Sequence, residues 1–128
     1  MNTKLLGLTF AAVLVVGETI ASGHHPTARR YRVDEQTTLD GVIVSLVYKA
    51  PHSFLHVQAP DRQNTMRVWA VECGNREELR RRVHEGSLKP GDRVVVTGDT
   101  AWDEGAWRVR LRTLTRRPDG WRWRETDK

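Results

Sequence analysis

The chain has 128 residues, of which 38% are hydrophobic, 29% charged and 7% aromatic. That suits one small globular domain and excludes a multidomain enzyme, a collagenous repeat or a multispanning membrane protein. Lys and Arg number 21 against 16 Asp and Glu, a net charge of +5, and the single cysteine, Cys73, excludes both an intrachain disulfide framework and a zinc site built on several thiolates.

Residues 1–4 carry one positive charge, residues 5–16 form an apolar run broken only by Gly7 and Thr9, and residues 17–23 are polar with small side chains. This is the order of regions in a secretory signal peptide. The run is shorter than the roughly 20 residues a spanning helix needs. The expectation is a signal peptide over residues 1–23, cleaved after Ala21 or after Gly23, and a periplasmic or secreted mature chain with no membrane span. Cleavage removes one cation, Lys4, and one anion, Glu18, so the mature chain of about 105 residues keeps +5.

Residues 24–36 (HHPTARRYRVDEQ) are polar and aperiodic and read as a flexible mature N-terminus. Residues 37–48 are rich in β-branched side chains and form the first expected strand, long enough to bend at Gly41 or Ser45. Pro51 interrupts it, since proline has no amide to give a ladder. Residues 53–58 and 65–73 are the second and third strands, joined by the polar hairpin loop 60–64. Asn75, with Glu78 three residues later, caps a short helix whose apolar stripe is Leu79 and Val83 and which Gly86 closes. Pro90-Gly91 marks a type II turn. Residues 93–100 and 106–115 are strands four and five, separated by the tight turn Asp103-Glu104-Gly105.

Five strands with one short helix between the third and fourth give the order of elements of an OB-fold, so the expected class is an all-β, five-stranded OB-like barrel over residues 37–115. A β-sandwich, the rival, usually needs about seven strands. The alternation of Trp107, Val109 and Leu111 with Arg108, Arg110 and Arg112 fits a wall with one buried and one wet face. Residues 116–128 form a charged C-terminal tail, in which docking of Trp121 and Trp123 on the barrel stays open. Cys73 ends an apolar run and is expected to be buried.

Several of these features occur together: an exported leader followed by His24-His25, a Tyr-x-x-Pro-His-Ser segment at Tyr48–Ser53, Trp69-Ala70-Val71-Glu72 before the capped helix, and Leu88-Lys89-Pro90-Gly91-Asp92 before a Val-rich strand. In these motifs the chain resembles a large family of small exported bacterial proteins described only as a domain of unknown function. The resemblance runs from about His24 to Leu114 and implies an OB-like fold and an exported location, with no established activity. It departs at Ala50, where the family typically has Asn, and at Cys73, where Gly is usual.

The five histidines are the residues most suggestive of chemistry. If the mature chain begins Ser22-Gly23-His24, the terminal amine, two backbone amides and one imidazole can form a square-planar nitrogen site, the geometry of Cu(II) and Ni(II). If it begins at His24, the amine and ring of that residue can chelate, with Pro26 blocking the first arrangement. His52 is the best internal partner for His24 and His25. His56 lies about 13 Å further along the same strand, too far to share an ion with His52. His84 is expected in solvent. The expected function is therefore an exported binding or accessory module, with copper the cofactor and His24, His25 and His52 the metal residues. The alternative is a metal-free module that binds a small ligand or a periplasmic protein partner on the face around Phe54, His56 and Trp69. Arginine-rich strands and five tryptophans also fit a single-strand nucleic-acid groove, but export argues against that partner. With no paired carboxylates, no nucleophile beside a base and no phosphate-cradling loop, the chain is not expected to be an enzyme.

Overall fold

The computed structural model describes residues 30–125. The expected signal peptide, His24 and His25 lie outside the described residues. The elements run β1 (Tyr31–Val47), β2 (Ser53–Pro60), β3 (Met66–Cys73), α1 (Arg76–Gly86), β4 (Arg93–Ala101), β5 (Arg108–Arg116) and β6 (Arg122–Arg124), with a 3-10 turn at Glu104–Ala106. The protein is mostly β with one helix, and the helix stands between the third and fourth strands as its cap predicts.

The six strands form one sheet in the order β3-β2-β1-β4-β5-β6. All of these neighbours are antiparallel, and β3 additionally pairs in parallel with β5 through Ala70–Arg108, Val71–Val109 and Glu72–Arg110. Pairing therefore passes round a cycle, β1–β2–β3–β5–β4–β1. Strand β1 makes this possible by serving two partners: its residues up to Val42 pair with β4, and those from Val42 onward pair with β2. It bends at the irregularity between Ile43 and Ser45, one of the two positions at which the sequence suggests a bend.

Two boundaries differ from the expectation. Strand β1 begins at Tyr31, so the second half of the segment read as a flexible N-terminus is paired with β4. Residues 31–36 hide this because their pairing shifts between Arg32 and Gln36 and breaks the alternation that a sequence reading relies on. At the other end, β6 adds a sixth strand to β5, with Trp123 opposite Leu114 and wholly buried. The segment read as a charged tail is thus docked over residues 122–124. Its charges hide one side chain, Trp123, large enough to hold it in place.

Alternation sets what faces the interior. Leu55, Val57 and Ala59 of β2 are buried, while Phe54, His56 and Gln58 face outward. Leu39, Val71, Val96, Val109 and Leu111 join the same core. The Asn75 side chain accepts from the Glu78 amide at 2.9 Å, and α1 buries Leu79 and packs Val83 on the core. The helix ends differently from the expectation. The left-handed cap residue is Ser87, with φ 51°, and Gly86 is still helical. Gly86 is needed for space: a Cβ there would lie 2.5 Å from the Trp121 ring. The type II turn forms as expected, with Gly91 at φ 95° and the Asp92 amide donating to Lys89 O at 3.2 Å.

Candidate functional site

Glu72 is the last residue but one of β3, in which Arg67 is the other charged residue, and its side chain is only 4% exposed. A buried carboxylate needs partners, because its desolvation is otherwise uncompensated. It has two. The Tyr31 hydroxyl donates to Oε2, and His52 Nδ1 lies 3.4 Å from Oε1. Burial, reinforced by the Glu72 hydrogen bond, holds the Tyr31 phenol well above its usual pKa, so it stays a donor. His52 itself stands in the break before β2, beside the cis Ala50–Pro51 peptide, with its side chain 51% exposed. Its Nδ1 faces the carboxylate, which leaves Nε2 as the ring nitrogen for an outside partner. A metal-binding histidine is commonly oriented in this way, by a carboxylate on its other nitrogen. Tyr31 and His52 meet on one carboxylate, so the point where β1 begins is also the point where His52 sits.

The remaining sequence candidates separate. His56 is turned to Ser45, its Nδ1 2.8 Å from Ser45 Oγ. Phe54 is outward on the same strand, with the Arg108 guanidinium 5.2 Å from its ring. Trp69, by contrast, pairs with Val57 and is 7% exposed, and its Nε1 donates to Ala59 O at 3.1 Å. Phe54, His56 and Trp69 therefore do not make one face. Trp69 falls on the opposite side of the sheet from the other two, because it stands one residue out of phase with His56 across the β2–β3 ladder. His84 is exposed, as expected. Cys73 is buried, its Sγ 3.5 Å from Ser53 O, and burial pushes the thiol pKa up. Among the described residues, no three His, Cys, Asp or Glu side chains converge as a metal cluster.

The two strand faces expected on β5 are real, but its arginines are not simply wet. Arg110 and Arg112 close over Asp99, which is fully buried on β4, with nitrogen–oxygen distances of 2.6 Å and 2.9 Å. Arg108 extends over Phe54. Three of the four α1 arginines are matched on the helix itself, Arg81 and Arg82 by Glu78 and Arg80 by Glu77. These pairings set carboxylates beside five of the arginines that the sequence reading placed on wet faces.

A second feature escaped the sequence reading. Trp69 and Trp107 meet edge to face, ring centroids 5.3 Å apart, and both line a cleft of about 360 Å³. Trp107 follows the 3-10 turn in a left-handed conformation, φ 43° and ψ 54°, which is strained for a bulky residue. The Arg67 guanidinium covers Trp107 at 4.5 Å. A lone carboxylate in a mostly apolar strand, Glu72, and a lone Asp three residues past a valine run, Asp99, are the signals available in the sequence. No comparable signal announced the cleft.

Residues 12–107 match the sequence profile of a family of unknown function, DUF6152. The chain belongs to that family. No curated protein and no solved structure matches it. The DUF6152 match contains the His52–Glu72–Tyr31 arrangement and the tryptophan pair of the cleft, and it ends at Trp107, where the turn delivers the chain into β5. The resemblance read from the motifs extended to about Leu114, so the two readings overlap through α1 and β4.

Proposed function

We propose that this DUF6152 protein is an exported, OB-like binding or accessory module that holds a copper-type ion through His24 or His25 together with His52. The observation that carries the reading is the orientation of His52 by buried Glu72, with Nε2 left outward. Several features support it. The pairing cycle β1–β2–β3–β5–β4–β1, with a long first strand and a helix between strands three and four, supports the reading of a five-stranded OB-like barrel to which β6 is an addition. His25 precedes Tyr31 by six residues, a stretch that reaches at most about 20 Å. Tyr31 shares its carboxylate with His52, so that reach covers the exposed imidazole. The apolar run of residues 5–16 supports export, which puts the protein where copper is met outside the cytoplasm and nucleic acid is not an ordinary partner.

The test is Cu(II) binding by isothermal titration of the exported, processed chain, whose first residue is fixed by intact mass. One equivalent is expected to bind near neutral pH and to be lost as the imidazoles protonate, because the ligands must be neutral. His52→Ala, and separately the double variant His24→Ala/His25→Ala, should each weaken binding. Glu72→Gln, which removes the orienting charge but no ligand, should weaken it about 10–100-fold. Uptake by the His24→Ala/His25→Ala protein equal to that of the parent refutes the proposal.

A further inference from the structure

The cleft at Trp69 and Trp107 is separate from His52 and is built for a different kind of ligand. Its volume, about 360 Å³, is in the range of small-molecule sites, roughly 300–1,000 Å³. Its aromatic wall is the tryptophan pair. Trp69 Nε1 is already bonded to Ala59 O, so this indole offers apolar surface and no donor. Trp107 is covered by Arg67, which does not itself line the cleft, and its strained backbone is what turns the ring to this position. Strain of this kind persists where the surroundings enforce it, often at ligand sites.

The rest of the lining is mostly polar, and three of its four carboxylates are paired with arginine; the fourth, Asp103, accepts from the Gly105 amide, and Arg108 extends over Phe54. Glu35 accepts from Arg32 at 2.9 Å and from Arg62 at 3.0 Å. Asp61 accepts from Arg67 at 3.0 Å, and Glu104 lies 3.6 Å from Arg32. A site in which most carboxylates are already held by guanidiniums has little to gain from a further ion, yet each paired group keeps lone pairs or N–H groups that can meet hydroxyls. Thr37 and Thr100 add to this set. Their hydroxyls are 2.7 Å apart, so one donates to the other and the second hydroxyl proton is left for another acceptor. An aromatic wall against a rim of neutralised, planar polar groups fits a ring that has apolar C–H faces and a hydroxylated edge.

We infer that the Trp69–Trp107 cleft binds a neutral sugar ring, with the sugar's C–H face on the tryptophan wall and its hydroxyls on the Glu35–Arg62 pair and the Thr37–Thr100 hydroxyls. A phosphorylated or nucleic-acid ligand is disfavoured because the lining sets only two guanidiniums, Arg62 and Arg108, against four carboxylates, and Arg62 is already engaged by Glu35.

The experiment is an NMR titration of the ¹⁵N-labelled protein, following the Trp69 and Trp107 indole N–H signals, with cellobiose, maltose and N,N′-diacetylchitobiose as separate probes. Tetramethylammonium and inorganic phosphate serve as charged comparisons. At least one disaccharide is expected to give saturable shifts that Trp107→Ala weakens at least about tenfold. Thr100→Val, which keeps the side-chain shape and guards against a misfolded tryptophan variant, should weaken them severalfold. His52→Ala should leave them unchanged. Failure of all three disaccharides to saturate, saturation by tetramethylammonium or phosphate in their place, or sugar binding indifferent to both Trp107→Ala and Thr100→Val would each overturn the inference.

Discussion

Two tryptophan pairs stand at different places in this fold and have opposite surroundings. Trp121 and Trp123 lie where β6 and α1 meet: Trp123 is wholly buried beside Leu114, and Trp121 presses on Gly86 so closely that no side chain fits there. Trp69 and Trp107 line a cleft, one ring held in the core and the other turned to its place by a strained backbone. Arginine covers a ring in both pairs, Arg82 near Trp123 and Arg116 near Trp121, Arg67 on Trp107. A cation over an indole is therefore not what separates a structural tryptophan from one free to meet a ligand. Packing on the remaining surface separates them: Trp121 and Trp123 meet α1 and the core, whereas Trp69 and Trp107 border the open space of the cleft.

The largest test of this contrast is truncation of one ring from each pair. Trp123→Ala removes a fully buried indole and is expected to cost about 3–5 kcal/mol in urea unfolding. Trp107→Ala loses a half-buried ring and keeps the Cβ that makes the left-handed backbone costly, and a smaller loss of about 1–2 kcal/mol is expected. Equal losses would mean that the cleft ring is as structural as the buried one.

Gly86→Ala gives a smaller effect whose sign is informative. Alanine in a helix interior gains about 1 kcal/mol over glycine. The new Cβ meets the rigid indole of Trp121, and displacing a packed ring costs about 1–3 kcal/mol. A net destabilisation of roughly 1 kcal/mol is expected, with a red shift in tryptophan emission. Stabilisation would show that Trp121 yields without cost and belongs with the open pair.

The smallest effect is on acid stability. The Asp119 carboxyl is drawn down to about 2, first by the Arg116 side chain and then by the Trp121 backbone N–H. A carboxyl lowered on folding contributes stability above its unfolded value, near 4, and loses it as pH falls through about 2. Arg116 also donates to Gly86 O and Asp92, so this loss loosens the contact around Trp121. Tryptophan fluorescence should therefore change between about pH 4 and pH 2, and Asp119→Asn should flatten that change. The cleft pair has no such link to Arg116.

The candidate site was legible in part. His52 was marked as the internal metal candidate because a histidine follows a proline at a strand break. What orients it, Glu72 and Tyr31, was not assigned, since the two are 41 residues apart and meet only through the fold. The sequence reading places Trp69 on one face with Phe54 and His56. Alternation within β2 assigned Phe54 and His56 to one face, but the face of Trp69 depends on the β2–β3 register, which the hairpin loop sets. The Arg108, Arg110 and Arg112 series was read as a wet strand face. Asp99, buried beneath two of them, makes much of that face an internal ion pair.

The sequence alone determined what depends on near neighbours. The mostly β character with one capped helix, the turn at Pro90-Gly91, the inward and outward alternation of β2 and the burial of Cys73 all follow from local propensity and periodicity. Only the tertiary structure decided where β1 begins, that Trp123 carries a sixth strand, which tryptophans face a cleft, and that His52 shares a carboxylate with Tyr31. Each of these depends on groups distant in sequence whose interaction gains enough, once desolvated together, to order segments that no local pattern would hold.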